Sequence, residues 1–211
     1  MSDGGRYAVP AAVHRVEQSI DRSRFICTVS RAQSPAEGQA FIREIGAEFP
    51  DATHNCWAFV AGPPGSTSHV GLSDDGEPHG TAGRPMLTVL LHSGVGEIAA
   101  VVTRYFGGIK LGTGGLARAY SSSVQLALET MPRAERVDWV ELTIEIGYAS
   151  VSAVQQLLPR HEAELVAEEY GTVVSFRVRA PLLRVPALRA ALGDATRGQA
   201  VVSGGEGDAG A

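Results

Sequence analysis

The chain has 211 residues, 44% of them hydrophobic and 19% charged, with a net charge of −5. That length fits one large domain or two small ones, and the composition is that of an ordinary globular protein, which excludes disordered, collagenous and membrane-embedded chains. The acidic balance excludes a globally basic nucleic-acid coat.

In chain order, alternation over residues 12–20 and again over 25–30, joined by Asp21-Arg22-Ser23-Arg24, predicts two strands and a tight turn. Ser34-Pro35-Ala36-Glu37 supplies an N-cap, a proline at the first helical position and an early acid. Phe41, Ile45 and Phe49 then recur every four residues on one helix face until Pro50 stops it. Residues 54–61 read as a short strand, and Gly62-Pro63-Pro64-Gly65-Ser66 as an exposed loop. A second helix runs from near Thr81 to Leu91, with Pro85 in or near its first turn. Within 97–106 the unbroken apolar segment 98–102 marks a central strand covered on both faces. A glycine-rich loop over 107–115 then feeds a helix whose apolar stripe is Leu116, Tyr120, Val124, Ala127 and Met131.

The pattern changes after Met131-Pro132-Arg133, which places a domain boundary between about Pro132 and Asp138. The expected division is an N-terminal domain over 1–135, a C-terminal domain over 136–203 and a tail over 204–211. The C-terminal segment reads as strand (139–146), helix (150–160), strand (164–170), strand (173–180), helix (185–192) and strand (200–203). That is the βαββαβ order of a ferredoxin-like domain, with Gly171-Thr172 as its hairpin turn, so the fold class is α+β in two domains. The tail, glycine-rich with alanine as its only apolar residue type, is expected to be disordered. The N-terminus MSDGGRYAVP has neither the basic nor the apolar region of a signal peptide, and no apolar run reaches the roughly 20 residues of a membrane helix. The expected compartment is therefore the cytoplasm, where Cys27 and Cys56, without CxxC spacing, read as buried free thiols.

Three stretches carry candidate chemistry. Ser73-Asp74-Asp75-Gly76-Glu77-Pro78-His79 puts three carboxylates into four positions just ahead of a helix. Asp74, Asp75 and Glu77 suit Mg²⁺ coordination, and equally suit a turn whose negative charge favours a helix N-terminus. The second stretch runs from Thr103 to Gly115, where Arg104 is in phase with Ile98, Ala100, Val102 and Phe106, so a guanidinium sits on an otherwise apolar face. It needs an anionic partner, either a carboxylate of the acidic turn or a phosphate. Beyond it, Gly107, Gly108, Gly112, Gly114 and Gly115 leave backbone N–H groups unshielded at a helix start, which suits a phosphate cradle and equally a tight, closely packed connection. The loop matches neither a Walker loop nor the dinucleotide fingerprint. Of the 25 glycines, 13 lie between Gly62 and Gly115, and among 18 basic residues the single lysine, Lys110, falls in this loop. Arg84, Arg104, Lys110 and Arg118 together make a candidate basic patch. No catalytic motif of known spacing is present; His54 and Cys56 share a strand face without a third member.

The run GRPMLTVLLHSGVGEIAAVVTRYFGGIKLG from Gly83 to Gly112, preceded by SDDGEPHGTA and followed by TGGLARAYSSS, resembles the signature of the IMPACT/YigZ family. Ser23-Arg24-Phe25-Ile26 and His54-Asn55-Cys56-Trp57-Ala58 sit where that family has similar residues. The resemblance covers the chain up to the tail. It implies an N-terminal domain similar to elongation factor G domain IV and a C-terminal domain similar to domain V of that factor. Eukaryotic relatives regulate translation and carry an extra N-terminal protein-binding domain; only a short polar lead precedes the first predicted strand here, as in the compact bacterial form. Two functions follow as expectations. One is a non-enzymatic module bound to RNA, the ribosome or other translation machinery, using Arg84, Arg104, Lys110, Arg118 and the loop amides. The other is an enzyme or binder of a phosphorylated small molecule, in which Asp74, Asp75 and Glu77 hold Mg²⁺; no cofactor is expected under the first.

Overall fold

The apolar segment 98–102 forms the first part of strand β6 (Ile98–Tyr105), every residue of which is buried except the last. In this computed structural model, which describes residues 6–205, β6 is the central strand of a five-stranded antiparallel sheet. The order is β2 (His14–Ile20), β3 (Ser23–Arg31), β6, β4 (His54–Val60) and β5 (Val70–Ser73). Period-two alternation sends Ile98, Ala100 and Val102 to one face, where they pack with Phe25, Cys27, Cys56 and Ala58 beneath two helices, α2 (Gly83–His92) and α3 (Gly112–Thr130). Ala99 and Val101 face the other way, against Phe41 and Ile45 of α1 (Pro35–Glu48). Both faces of β6 are thus covered, as its unbroken hydrophobicity predicts.

The start of α1 is built as its sequence indicates. Ser34 Oγ accepts from the Glu37 N–H at 3.2 Å, while the Glu37 carboxylate accepts from the Gln33 N–H at 2.9 Å. The turn between β2 and β3 is tighter than the four residues expected. Ile20 pairs with Ser23 across a two-residue turn in which Asp21 and Arg22 both take positive φ, 45° and 65°.

Three strands have no counterpart in the hydrophobic pattern. These are β1 (Arg6–Pro10) and β7 (Arg133–Val137), which pair with each other, and the edge strand β5. β5 is four residues long and contains Gly71, and β1 ends in proline. The glycine-rich loop also ends earlier than its composition suggests. Leu111 is the N-cap of α3, so Gly112, Gly114 and Gly115 belong to the first helical turn.

The chain divides into two compact units, with the change between Arg136 and Val137. In the second, β8 (Trp139–Ile146), α4 (Val151–Leu157), β9 (Glu164–Tyr170), β10 (Val174–Pro181), α5 (Val185–Thr196) and β11 (Val201–Gly204) follow one another. The antiparallel sheet order β11-β8-β10-β9 is the ferredoxin-like one. Its helices cover a core of Leu142, Ile144, Phe176, Val178, Leu188 and Leu192. Gly204, assigned to the tail by composition, closes β11; residues 206–211 of that tail lie outside the described residues.

Candidate anion site at the α3 N-terminus

Arg104 extends the alternating series of Ile98, Ala100 and Val102 onto the face covered by α2 and α3, near the end of β6, and it is 5% exposed. Its Nη1 donates to Glu77 Oε1 at 2.6 Å, so the acidic turn supplies the carboxylate. Tyr120, entirely buried on α3, donates to the same oxygen at 2.8 Å. The Nη2 of Arg104 donates to Ser23 Oγ at 3.3 Å, and its guanidinium lies between the Phe25 and Phe106 rings, 5.4 and 5.5 Å from their centroids. One donor is left over: Arg104 Nε is buried without a hydrogen-bond partner.

The three carboxylates of the acidic turn have separate tasks. Asp74 accepts from the backbone N–H groups of Gly80 (2.7 Å), Ala82 (3.0 Å) and Gly83 (2.9 Å), and thereby caps α2 from outside the helix. Burial alone would raise its carboxyl, but bonds from Gly80, Gly83 and Ala82 outweigh that and hold it below the usual range. Asp75 accepts from the Asn55 N–H at 2.6 Å. Glu77 is given to Arg104 and Tyr120. Among the described residues no three His, Cys, Asp or Glu are grouped to hold a metal ion, so the turn offers Mg²⁺ no shared donor set.

Cys56 extends the network, with Sγ 3.3 Å from Tyr120 Oη and 2.9 Å from the Asp74 carbonyl. Burial first, then the Cys56 and Glu77 neighbours, push the Tyr120 phenol far above its ordinary value and keep it a donor. Burial likewise pushes the Cys27 thiol up to about 12, and that of Cys56 higher still. Neither is a nucleophile.

Beside the network lies a cavity of about 390 Å³, bordered by Thr53, His54, Glu77, Pro78, Arg104, Phe106, Lys110, Leu111, Gly112, Thr113 and Leu116. Of the candidate phosphate ligands it brings together Arg104, Lys110 and Gly112. Gly107, Gly108, Gly114 and Gly115 are outside its lining, as are Arg84 and Arg118, which are exposed on α2 and α3. Two glycines have identifiable tasks. A Cβ on Gly107 would sit 1.9 Å from the Arg22 carbonyl oxygen, so this loop presses on the β2–β3 turn, and Gly112 takes φ +71° as it opens α3.

The two helices that start at this end of the sheet differ in their caps. Asp74 serves α2, whereas α3 has neither a side-chain cap nor an acidic residue in its first turn. The α3 amides therefore present unopposed partial positive charge at the cavity, next to Lys110. In the same domain Arg15, Arg24, Arg31 and Arg104 are all ion-paired with glutamates. Arg22, Arg84, Lys110 and Arg118 form no ion pair among the described residues.

Sequence reasoning passed over four contributors. His54 Nδ1 lies 2.7 Å from the Asp75 carbonyl, which only accepts, so Nδ1 donates and Nε2 is left without a hydrogen bond among the described residues. That Nε2 is 3.9 Å from Glu77 Oε2, which has no hydrogen bond of its own among the described residues. Phe106 is 47% exposed, with its backbone N–H held by Thr53 Oγ1 at 3.0 Å. Thr113 adds a hydroxyl at the α3 N-terminus, and Arg22 a free cation at the adjacent turn. The signal for His54 was present in its strand phase with Cys56, and that for Phe106 in its strand phase with Arg104.

The open face of the C-terminal sheet is unlike this site. Register places Glu141, Glu145, Glu164 and Glu169 there against Arg177 and Arg179, an acidic surface with Trp139 at one end. Among the described residues no helix is long and apolar enough to cross a membrane.

Comparison with known proteins gives the same partition. Residues 21–128 match the Impact N-terminal domain, and residues 144–199 match a domain of unknown function, DUF1949. The chain is similar to the IMPACT family member YigZ of Escherichia coli (strain K12), with 41% identity over 192 residues, 91% of this chain and 94% of that protein. It is also similar to the IMPACT family member YvyE of Bacillus subtilis (strain 168), with 38% identity over 188 residues, 89% of this chain and 85% of that one. A solved crystal structure, described as that of a hypothetical protein, is 40% identical, with 94% of this chain and 96% of the other aligned at a TM-score of 0.64. Likeness of that extent and identity, spanning the acidic turn, the glycine-rich loop and both domains, means that the chain belongs to the IMPACT family.

Proposed function

We propose that this protein is a non-enzymatic, cytoplasmic regulator of translation that associates with RNA or the ribosome and grips phosphate groups at the N-terminus of α3. The observation that carries this reading is the contrast between the helix starts: Asp74 fills the anion position at α2, and the equivalent position at α3 is left to Gly112–Gly115 amides beside Lys110. Unpaired Arg22, Arg84 and Arg118 on the same domain extend the footprint, which suits backbone contact along an RNA strand. The acidic open face of the C-terminal sheet supports phosphate contacts on the N-terminal domain.

RNA binding followed by fluorescence anisotropy across a salt series tests this. Affinity falls linearly with log salt, and Lys110→Ala lowers the slope by about 0.7–0.9, the release of roughly one counterion. Absent or salt-insensitive binding overturns the proposal. The magnesium-dependent alternative predicts that Asp75→Ala abolishes a Mg²⁺-dependent rise in melting temperature with a sugar phosphate or nucleotide.

A further inference from the structure

The cavity lining has two chemically different parts. At one, Lys110 and the amides opening α3 are donors with positive character. At the other, His54 Nε2 and the acceptor Glu77 Oε2 lie 3.9 Å apart, both without a hydrogen bond among the described residues. The half-exposed Phe106 ring borders the same cavity, with its backbone N–H held by Thr53 and the Arg104 guanidinium over the ring. Arg104 itself, with a side chain 6% exposed, borders the cavity and has its Nε without a partner. A ligand matched to this arrangement is anionic at one end and planar in the middle, and carries N–H donors at its far edge. The volume of about 390 Å³ lies at the small-ligand end of the ordinary range for binding sites. An RNA backbone alone would use the donors and leave Glu77 Oε2 and the aromatic ring idle.

We propose that the cavity takes a single nucleotide, and guanine in preference to uracil, a reading that rests on the phosphate grip proposed above. The phosphate lies on the α3 amides and Lys110, the base stacks on Phe106, and N1–H and N2–H donate to Glu77 Oε2. Uracil offers one N–H on that edge where guanine offers adjacent donors, so the Glu77 carboxylate selects between them. Base stacking on an exposed aromatic ring is the usual way proteins hold unstacked RNA residues.

Isothermal titration of the full chain with 5′-GMP, 5′-UMP, guanosine and inorganic phosphate tests this. GMP binds at least tenfold more tightly than each of the other three, and Phe106→Ala weakens GMP at least tenfold. If the alanine variant melts early, Phe106→Leu keeps the apolar bulk, and its GMP affinity falls while its melting temperature does not. A 5′-phosphorylated trinucleotide beginning with guanosine separates the sources: tighter than GMP assigns the site to an RNA end, weaker assigns it to the free nucleotide. GMP binding no tighter than phosphate or UMP, or unaffected by Phe106→Ala, overturns the nucleotide pocket. Salt-dependent RNA binding that Lys110→Ala weakens, without GMP binding, overturns the pocket and leaves the phosphate grip standing. Loss of both overturns both.

Discussion

Arg104 and Glu77, 27 positions apart in sequence, form an ion pair of 2.6 Å whose side chains are 6% and 3% exposed. A pair this deep is strongly destabilising to break, because the survivor is left charged in a medium that cannot solvate it.

Glu77→Ala therefore costs about 3–5 kcal/mol, read as a shift in the urea midpoint at unchanged slope. Combining it with Arg104→Met removes both charges, and the double variant is more stable than Glu77→Ala alone. A double variant as unstable as the sum of its singles would show that the two side chains do not act as a pair.

Asp74 makes stability acid-sensitive. Its folded carboxyl titrates below the unfolded value of about 3.9, so its contribution is complete above that value and is lost as pH falls through the depressed folded one. Asp74→Ala costs about 1–2 kcal/mol at neutral pH, and its stability falls less between pH 5 and pH 2 than that of the parent chain. Thermal unfolding at stepped pH reads both effects.

The thiols are silent while the protein is folded. With burial pushing Cys27 up to about 12 and Cys56 higher, a thiol reagent at pH 8 labels neither in the native state and both in urea. Rapid native labelling of Cys56 would mean that the Tyr120 side of the network opens readily.

Gly107→Ala forces the loop away from the β2–β3 turn, since its Cβ would overlap the Arg22 carbonyl. The expected loss is about 1–3 kcal/mol, with hydrogen exchange accelerated at Arg22 and Ser23 as well as in the loop.

Much of this was legible in the chain, and the gaps have physical reasons. Period two alone placed Arg104 on the face of Ile98 and Val102 and required an anion for it. It could not choose among Asp74, Asp75 and Glu77, because three carboxylates within one turn point in directions that only the folded loop decides. The strands β1, β5 and β7 escaped because short edge strands carry proline, glycine or charge and little alternation. The loop was read as longer than it is because Gly112, Gly114 and Gly115 are poor helix formers, and here packing along Leu116, Tyr120 and Val124 overrides propensity. Phe106, in phase with Arg104, reads from sequence as part of the apolar face and not as a site residue, since an aromatic at a strand end is ordinarily core.

The unequal ends of α2 and α3 set a trade between durability and use. A serine or aspartate in place of Leu111 would cap α3 from within the chain and add about 1 kcal/mol of stability where its side chain reaches the amides. It would also act as a permanently tethered competitor, holding the position that an incoming phosphate needs. The sequence instead leaves that helix end unsatisfied, and the stability it forgoes there is the measure of what a ligand can supply on arrival.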